Sequence, residues 1–230
     1  MSDRKLKAAI VYRGFYKRKK IRKPDHRKMN NNSFDEGVLD NNIKNLLYNY
    51  DCDVYMHTYK TNDINDNNML EVFKKYGYAV KKCEFQVFNW KHHKIGHSIV
   101  RSLELVEGEY DIVISIRYDL MFKKDIVSHI DVNKFNIMFK DKECSWDTED
   151  KKVSDLMYVF PISSIENLKE ALKEKMDYKD SAGHFVYNSL CNSLGKDRIH
   201  FMVDGNYTSN TDLGINPLVK IRRNWIYGVG

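Results

Sequence analysis

Short apolar, β-branched runs alternate in the first half of the chain with longer stretches in which apolar residues recur every three or four positions. The runs at 7–12 (KAAIVY), 52–58 (CDVYMHT), 79–85 and 112–116 (IVISI) read as buried strands. Between them, Leu39, Ile43, Leu46, Leu47 and Tyr50 predict an amphipathic helix over 37–50. A second helix is expected over 63–76, and Ile99, Leu103 and Val106 mark a third, whose other face carries Ser98, Arg101 and Glu104. Strand, helix, strand in this order predicts right-handed βαβ units and a mostly parallel, Rossmann-like arrangement over 1–122.

After Asp119 the pattern changes. Segments 136–140 (NIMFK) and 156–160 (LMYVF) read as short strands on either side of a charged loop, 141–152, that contains Trp146. Ser163-Ser164-Ile165-Glu166 has the form of a capping box, and Ile165, Leu168, Leu172 and Met176 give the helix behind it an apolar stripe. A further helix is expected over 183–194, then a segment at 198–203 and an irregular tail with Asn206, Asn210, Asn216 and Pro217. No repeat or linker divides the chain, so 1–230 is expected to be one α/β domain whose halves, 1–122 and 123–230, share a continuous mixed sheet flanked by helices.

Composition narrows the class. With 230 residues, 42% hydrophobic and 30% charged, the chain buries a sizeable core in a soluble fold. Its apolar runs fall short of the roughly 18 residues that span a bilayer, and residues 1–10 have no signal-peptide core, so no transmembrane segment and a cytoplasmic location are expected. Cys52, Cys83, Cys144 and Cys191 lack metal or redox spacing. The net charge of +6 is local, because residues 17–28 hold eight Lys or Arg; without these and Asp25, 30 cations face 31 acids. A uniformly basic nucleic-acid surface is not implied, and nucleic-acid binding through 17–28 alone is a minor rival reading, since the remainder is near neutral and lacks an RNA-binding aromatic motif. The basic segment reads either as a long loop that closes over a ligand or as a solvated excursion.

Candidate chemistry sits at strand ends. The apolar run at 112–116 stops abruptly in Arg117-Tyr118-Asp119, and Arg13-Gly14 follows the first strand. Carboxyl ends of strands line the ligand crevice in open α/β sheets, so a cation and a carboxylate two residues apart there can face one polar ligand. His92 and His93 are adjacent and point apart, which argues against a shared metal.

Three stretches, KAAIVYRGFYKR, CDVYMHTY (of the type D-V-F-I-H-T-W) and HSIVRSLELVEGEYDIVISIRYDL (of the type Y-D-x-V-I-R-x-R-P-D-L), together with Ser154-Asp155, carry a resemblance. From about residue 7 to 195 the chain resembles small GT-A-like glycosyltransferases of bacterial polysaccharide clusters and large DNA viruses. Two positions depart from that pattern: Ser115 stands for the first Arg, and Tyr118 for the Pro.

The resemblance implies an enzyme that moves a sugar from a nucleotide-diphosphate donor to a hydroxyl of a glycan acceptor, assisted by Mn²⁺ or Mg²⁺, in the cytoplasm (the host cytosol for a viral protein). It implies Asp119 as metal ligand; Arg117, where a D-x-D motif would supply its first carboxylate, weakens or partly replaces the metal. Tyr12, Arg13 and Gly14 are expected at the nucleotide. His57 and Thr58 are expected at the base or ribose, with a satisfied core histidine as the other reading of His57. Ser98 and Arg101, one helical turn apart, are expected at the diphosphate or sugar, or on a solvated helix face. Asp155 is expected as the general base on the acceptor side, or as a strand-start cap. His200 is a late metal ligand or packing. Among Trp90, Trp146 and Trp225, Trp146 is the expected acceptor platform. The rival reading is a non-catalytic nucleotide- or carbohydrate-binding module, favoured by Ser115 and the missing D-x-D and opposed by Asp119 and Asp155.

Overall fold

Alternation of side chains along the first strand divides the interior into two cores, one on each face of a seven-stranded sheet. The computed structural model describes residues 4–14, 27–29, 36–60, 66–87, 95–142, 146, 151–176, 182–207, 216–221 and 225–227. The sheet comprises β1 (Lys7–Gly14), β2 (Asp51–Lys60), β3 (Val80–Val87), β4 (Ile112–Arg117), β5 (Phe135–Ile137), β6 (Met157–Pro161) and β7 (Ile199–Phe201). Its order is β3-β2-β1-β4-β6-β5-β7, and β6 is antiparallel to both neighbours while the other pairs are parallel. The helices are α1 (Glu36–Asn45), α2 (Asp66–Lys75), α3 (Ile95–Glu104), α4 (Ile165–Glu174) and α5 (Tyr187–Leu194).

Ala8, Ile10, Tyr12, Val54 and Met56 pack with Leu39, Ile43 and Phe73 of α1 and α2. On the other face, Ala9, Val11, Tyr55 and Val113 meet Ile99 and Leu103 of α3, Leu168 and Leu172 of α4 and Leu190 of α5. Both halves thus build one continuous mixed α/β sheet, and the first half is parallel as expected. Where β6 turns back, Asn136 of β5 holds the register: its Nδ2 donates to the carbonyls of Asp131, Lys134 and Val159, and its Oδ1 accepts from Asp131 N–H.

Several local expectations are corrected. The stretch read as one helix over 37–50 is α1 followed by a 3₁₀ turn, Leu47–Asn49; Leu46, at φ −134°, breaks the helix while Leu46, Leu47 and Tyr50 stay buried. The capping box does not form, because a 3₁₀ turn, Ile162–Ser164, runs straight into α4 and Ser164 (φ −94°, ψ 4°) lacks the extended backbone of a side-chain cap. The helix expected over 183–194 divides into the 3₁₀ turn Ala182–His184 and α5. The strand read at 136–140 divides into β5 and Lys140–Asp141, which pairs with Asn206–Tyr207.

Two antiparallel ribbons complete the described structure. Val219–Ile221 pairs with Leu120–Phe122, directly after Asp119, and Trp225–Tyr227 pairs with Arg27–Met29. Most of the basic segment 17–28, together with Trp90, His92 and His93, lies outside the described residues. Cys52, Cys83 and Cys191 are free thiols. Among the described residues no helix is long and apolar enough to cross a membrane.

Candidate active site

Parallel register brings the charged strand ends into one row. Arg13 of β1 lies opposite His57 of β2 on one side and Arg117 of β4 on the other. By the two-residue period these side chains share the face of Val11 and Tyr55, over which α3 lies, whereas Tyr12 falls on the opposite face. There the Tyr12 ring stacks on Tyr118 at 5.5 Å and meets Phe73 edge-on at 5.3 Å. Thr58 shares the parity of Met56 and is fully buried. Gly14 ends β1 at φ +100°, a left-handed backbone that a side chain would strain.

Two guanidinium groups organise the row. Arg13, 2% exposed, donates through Nε to Ser115 Oγ at 3.0 Å and through Nη2 to the Asp155 carbonyl. Arg117 forks onto Asp119, with Nε to Oδ1 at 3.0 Å and Nη2 to Oδ2 at 2.7 Å, and its Nη1 lies 3.8 Å from Asp155 Oδ1. Asp119 therefore has the Arg partner expected of a carboxylate at a buried strand end. Asp155, 1% exposed, lies beside Arg117, and its backbone carbonyl takes Arg13.

Charge sets the protonation states. Burial pushes the Asp155 carboxyl up, but His184, Arg117 and Arg13 outweigh it and leave it below the usual carboxylate range. Burial likewise works against Arg117, yet Asp119 and Asp155 raise it above the ordinary arginine value. For Arg13 burial wins over the pull of Asp155, and its value is lowered.

The remaining expected donor residues are already engaged. His57 is fully buried between Ser98 Oγ on Nδ1 and Gln86 Oε1 on Nε2, both at 3.2 Å, and burial lowers its pKa against the opposing pull of Glu84. Arg101 pairs with Glu84 at 3.0 Å and Glu104 at 2.9 Å. His200 approaches the His129 carbonyl at 3.1 Å on β7, three strands from β4, so the structure does not bring it to Asp119. Trp146 packs edge-on against Tyr187 and Phe201, with Lys140 over its ring and its Nε1 donating to the Asp141 carbonyl, rather than standing alone in its loop.

Sequence reasoning missed two residues here. His184 Nε2 lies 3.7 Å from Asp155 Oδ1, and its Nδ1 lies 3.9 Å from Oδ2 of the buried Asp141. His184 falls at the start of the helix expected over 183–194 and Asp141 at the start of the loop expected over 141–152, and nothing in their local spacing marks the meeting. The turn that bears His184 is pinned: Tyr158 Oη donates to the Gly183 carbonyl, and Gly96 of α3 packs so closely that an added Cβ would lie 2.6 Å from Ala182 Cβ.

Among the described residues no group of three or more His, Cys, Asp or Glu converges to hold a metal. Asp119 alone fits Mn²⁺ or Mg²⁺ only if other oxygens complete the shell, as those of a diphosphate do.

No family model matches the chain, and no curated protein matches it. Solved structures share its fold. Over 85% of each chain it is similar to a putative glucose-1-phosphate thymidylyltransferase from Bacillus anthracis, in complex with a sucrose (12% identity, TM-score 0.53). It is also similar to the mannosyltransferase PcManGT of Pyrobaculum calidifontis, in complex with GDP-Man and Mn²⁺ (13% identity, TM-score 0.52), over 88% of this chain and 56% of that one. Against the glycosyltransferase GlyE of Streptococcus pneumoniae the TM-score is 0.46 at 11% identity; 86% of this chain is covered and it spans 45% of that chain's length. The fold is GT-A-like, and it is shared by glycosyltransferases and nucleotidyltransferases.

Proposed function

We propose that the protein transfers a sugar from a nucleotide-diphosphate donor to a hydroxyl of a glycan acceptor. The observation that carries this reading is the pair of guanidiniums, Arg13 and Arg117, set side by side at the ends of β1 and β4 with Asp119 and Asp155 between and beside them. A departing nucleoside diphosphate gains negative charge, and preorganised cations in a water-poor site stabilise it as it forms. Arg117 would be the residue that meets the diphosphate, and Asp119 the one that would hold a divalent cation. Mn²⁺ or Mg²⁺, when bound at Asp119, supplies further charge neutralisation. The binding of GDP-Man and Mn²⁺ by a mannosyltransferase of similar fold supports this reading.

In this reading residues 1–122 bind the donor and 123–230 the acceptor. On the same reading Asp155, expected as the general base, acts instead as a buried anion beside Arg117, and its backbone carbonyl holds Arg13.

A thermal-shift series with nucleoside diphosphates and their sugars, with and without Mn²⁺, tests donor binding, since a ligand of the native state raises the midpoint by mass action. Transfer of sugar with release of nucleoside diphosphate separates an enzyme from a binding module. The likeness to a thymidylyltransferase over most of both chains favours a second reading, nucleotidyl transfer to a sugar phosphate. Release of pyrophosphate from a nucleoside triphosphate would establish it.

A further inference from the structure

We infer that His184 takes the proton from the acceptor hydroxyl, with Asp155 as the fixed anion beside the imidazolium that results; this rests on the nucleotide-sugar reading above. The ring's tautomer follows from its partners. Nδ1 lies 2.7 Å from the Val153 carbonyl, which can only accept, so Nδ1 bears the hydrogen and the neutral ring presents a lone pair at Nε2. Val153 N–H in turn donates to the His184 carbonyl at 2.8 Å, so one residue clamps His184 at two points. Tyr158 on the Gly183 carbonyl and Gly96 against Ala182 hold the turn that carries the ring.

Nε2 faces Asp155 Oδ1 at 3.7 Å, too far for a hydrogen bond, and that oxygen is buried with no hydrogen-bond partner. Arg117 Nη1 stands 3.8 Å from the same oxygen. A hydroxyl that donates its one hydrogen to Nε2 makes an ordinary hydrogen bond at about 2.8 Å, with the Asp155 carboxylate as the charged neighbour of the ring. His184 and Arg117 side chains are each 19% exposed and Asp155 only 2%, so a ligand meets the imidazole and guanidinium first. Among the described residues, the charges facing the ring are Asp155 and Asp141, with Arg117 and Arg13 held against Asp155; Lys152 is turned onto the Phe185 ring. Asp155, with His184, Arg117 and Arg13 around it, stays below the usual carboxylate range and is the fixed anion, while Nε2 of His184 carries the free lone pair.

The step balances. The hydroxyl proton moves to His184 Nε2, the oxygen's electron pair forms the bond to the anomeric carbon, and the bond from that carbon to the diphosphate breaks with its pair on the leaving oxygen. The anomeric centre inverts, and Asp155 stays ionised throughout.

The experiment compares wild type with His184→Gln and His184→Ala for nucleoside diphosphate affinity by calorimetry and for single-turnover transfer against pH. Expected are affinities within about 2-fold, transfer slowed by roughly 10²-fold or more, loss of the acidic limb of the pH profile, and partial recovery of His184→Ala with added imidazole. In the ligand-free wild type, ¹⁵N NMR of the ring is expected to show the Nδ1–H tautomer. A variant that transfers at the wild-type rate with the acidic limb intact, a retained anomeric configuration, or an Nε2–H tautomer overturns the assignment while the donor reading stands. Wild type that binds no nucleoside diphosphate and transfers no sugar overturns the donor reading, and the assignment with it.

Discussion

Arg13 reaches from β1 to β4 and donates its Nε–H to the Ser115 hydroxyl at 3.0 Å in a fully buried setting. The Ser115 hydroxyl thereby anchors a guanidinium that belongs to the neighbouring strand. Ser115→Ala removes an acceptor from a buried charged donor. It is expected to cost about 1.5–3 kcal/mol, read from chemical denaturation, and an unchanged midpoint would place Arg13 elsewhere.

Arg117→Ala is expected to weaken nucleoside diphosphate binding by about 1.5–3 kcal/mol, the value of a charge-assisted hydrogen bond to phosphate. Calorimetry on the folded variant measures this. Unaltered affinity would move the donor away from the end of β4.

Asp155 and Asp119 should separate by stability. Asp155→Asn removes a carboxylate only 2% exposed that faces Arg117 and His184 and is expected to destabilise by about 3–5 kcal/mol, while Asp119→Asn removes a carboxylate 21% exposed and is expected to cost less. Asp119→Asn should instead reduce the gain in nucleoside diphosphate affinity that Mn²⁺ brings. Denaturation midpoints and titrations with and without Mn²⁺ read the two effects apart.

Gly96→Ala sets a methyl 2.6 Å from Ala182 Cβ and must push the turn bearing His184 away from α3. A loss of about 1–3 kcal/mol is expected from overpacking. Its ¹H–¹⁵N spectrum should show shifts concentrated at 182–184; shifts confined to α3 would mean that the turn is not coupled to the helix.

The buried His57 links stability to pH. Its folded pKa is depressed by burial, so its contribution is fully present above the unfolded value of about 6.5 and is lost as pH falls from there toward the folded value. Thermal midpoints measured from pH 8 down to pH 5 should fall below about pH 6.5, and more steeply in wild type than in His57→Gln. Parallel curves would show that His57 is protonated within the fold.

Periodicity along the chain was enough to determine the strands at 7–12, 52–58 and 112–116, the parallel first half and the charged strand ends at Arg13 and Arg117, because burial of alternating apolar side chains and the abrupt arrival of charge are local properties. Which residues meet across the sheet was decided by the tertiary structure alone. The antiparallel return of β6 carries Asp155 to Arg13 and Arg117, and a 3₁₀ turn packed on Gly96 delivers His184 to it. Residues 117, 155 and 184 are far apart in sequence, and the Coulombic attraction that joins them depends on distances the fold creates. For the same reason the capping box at Ser163 and Ser164 was legible as a pattern yet never forms: the backbone arriving from β6 had already been committed to a tighter turn.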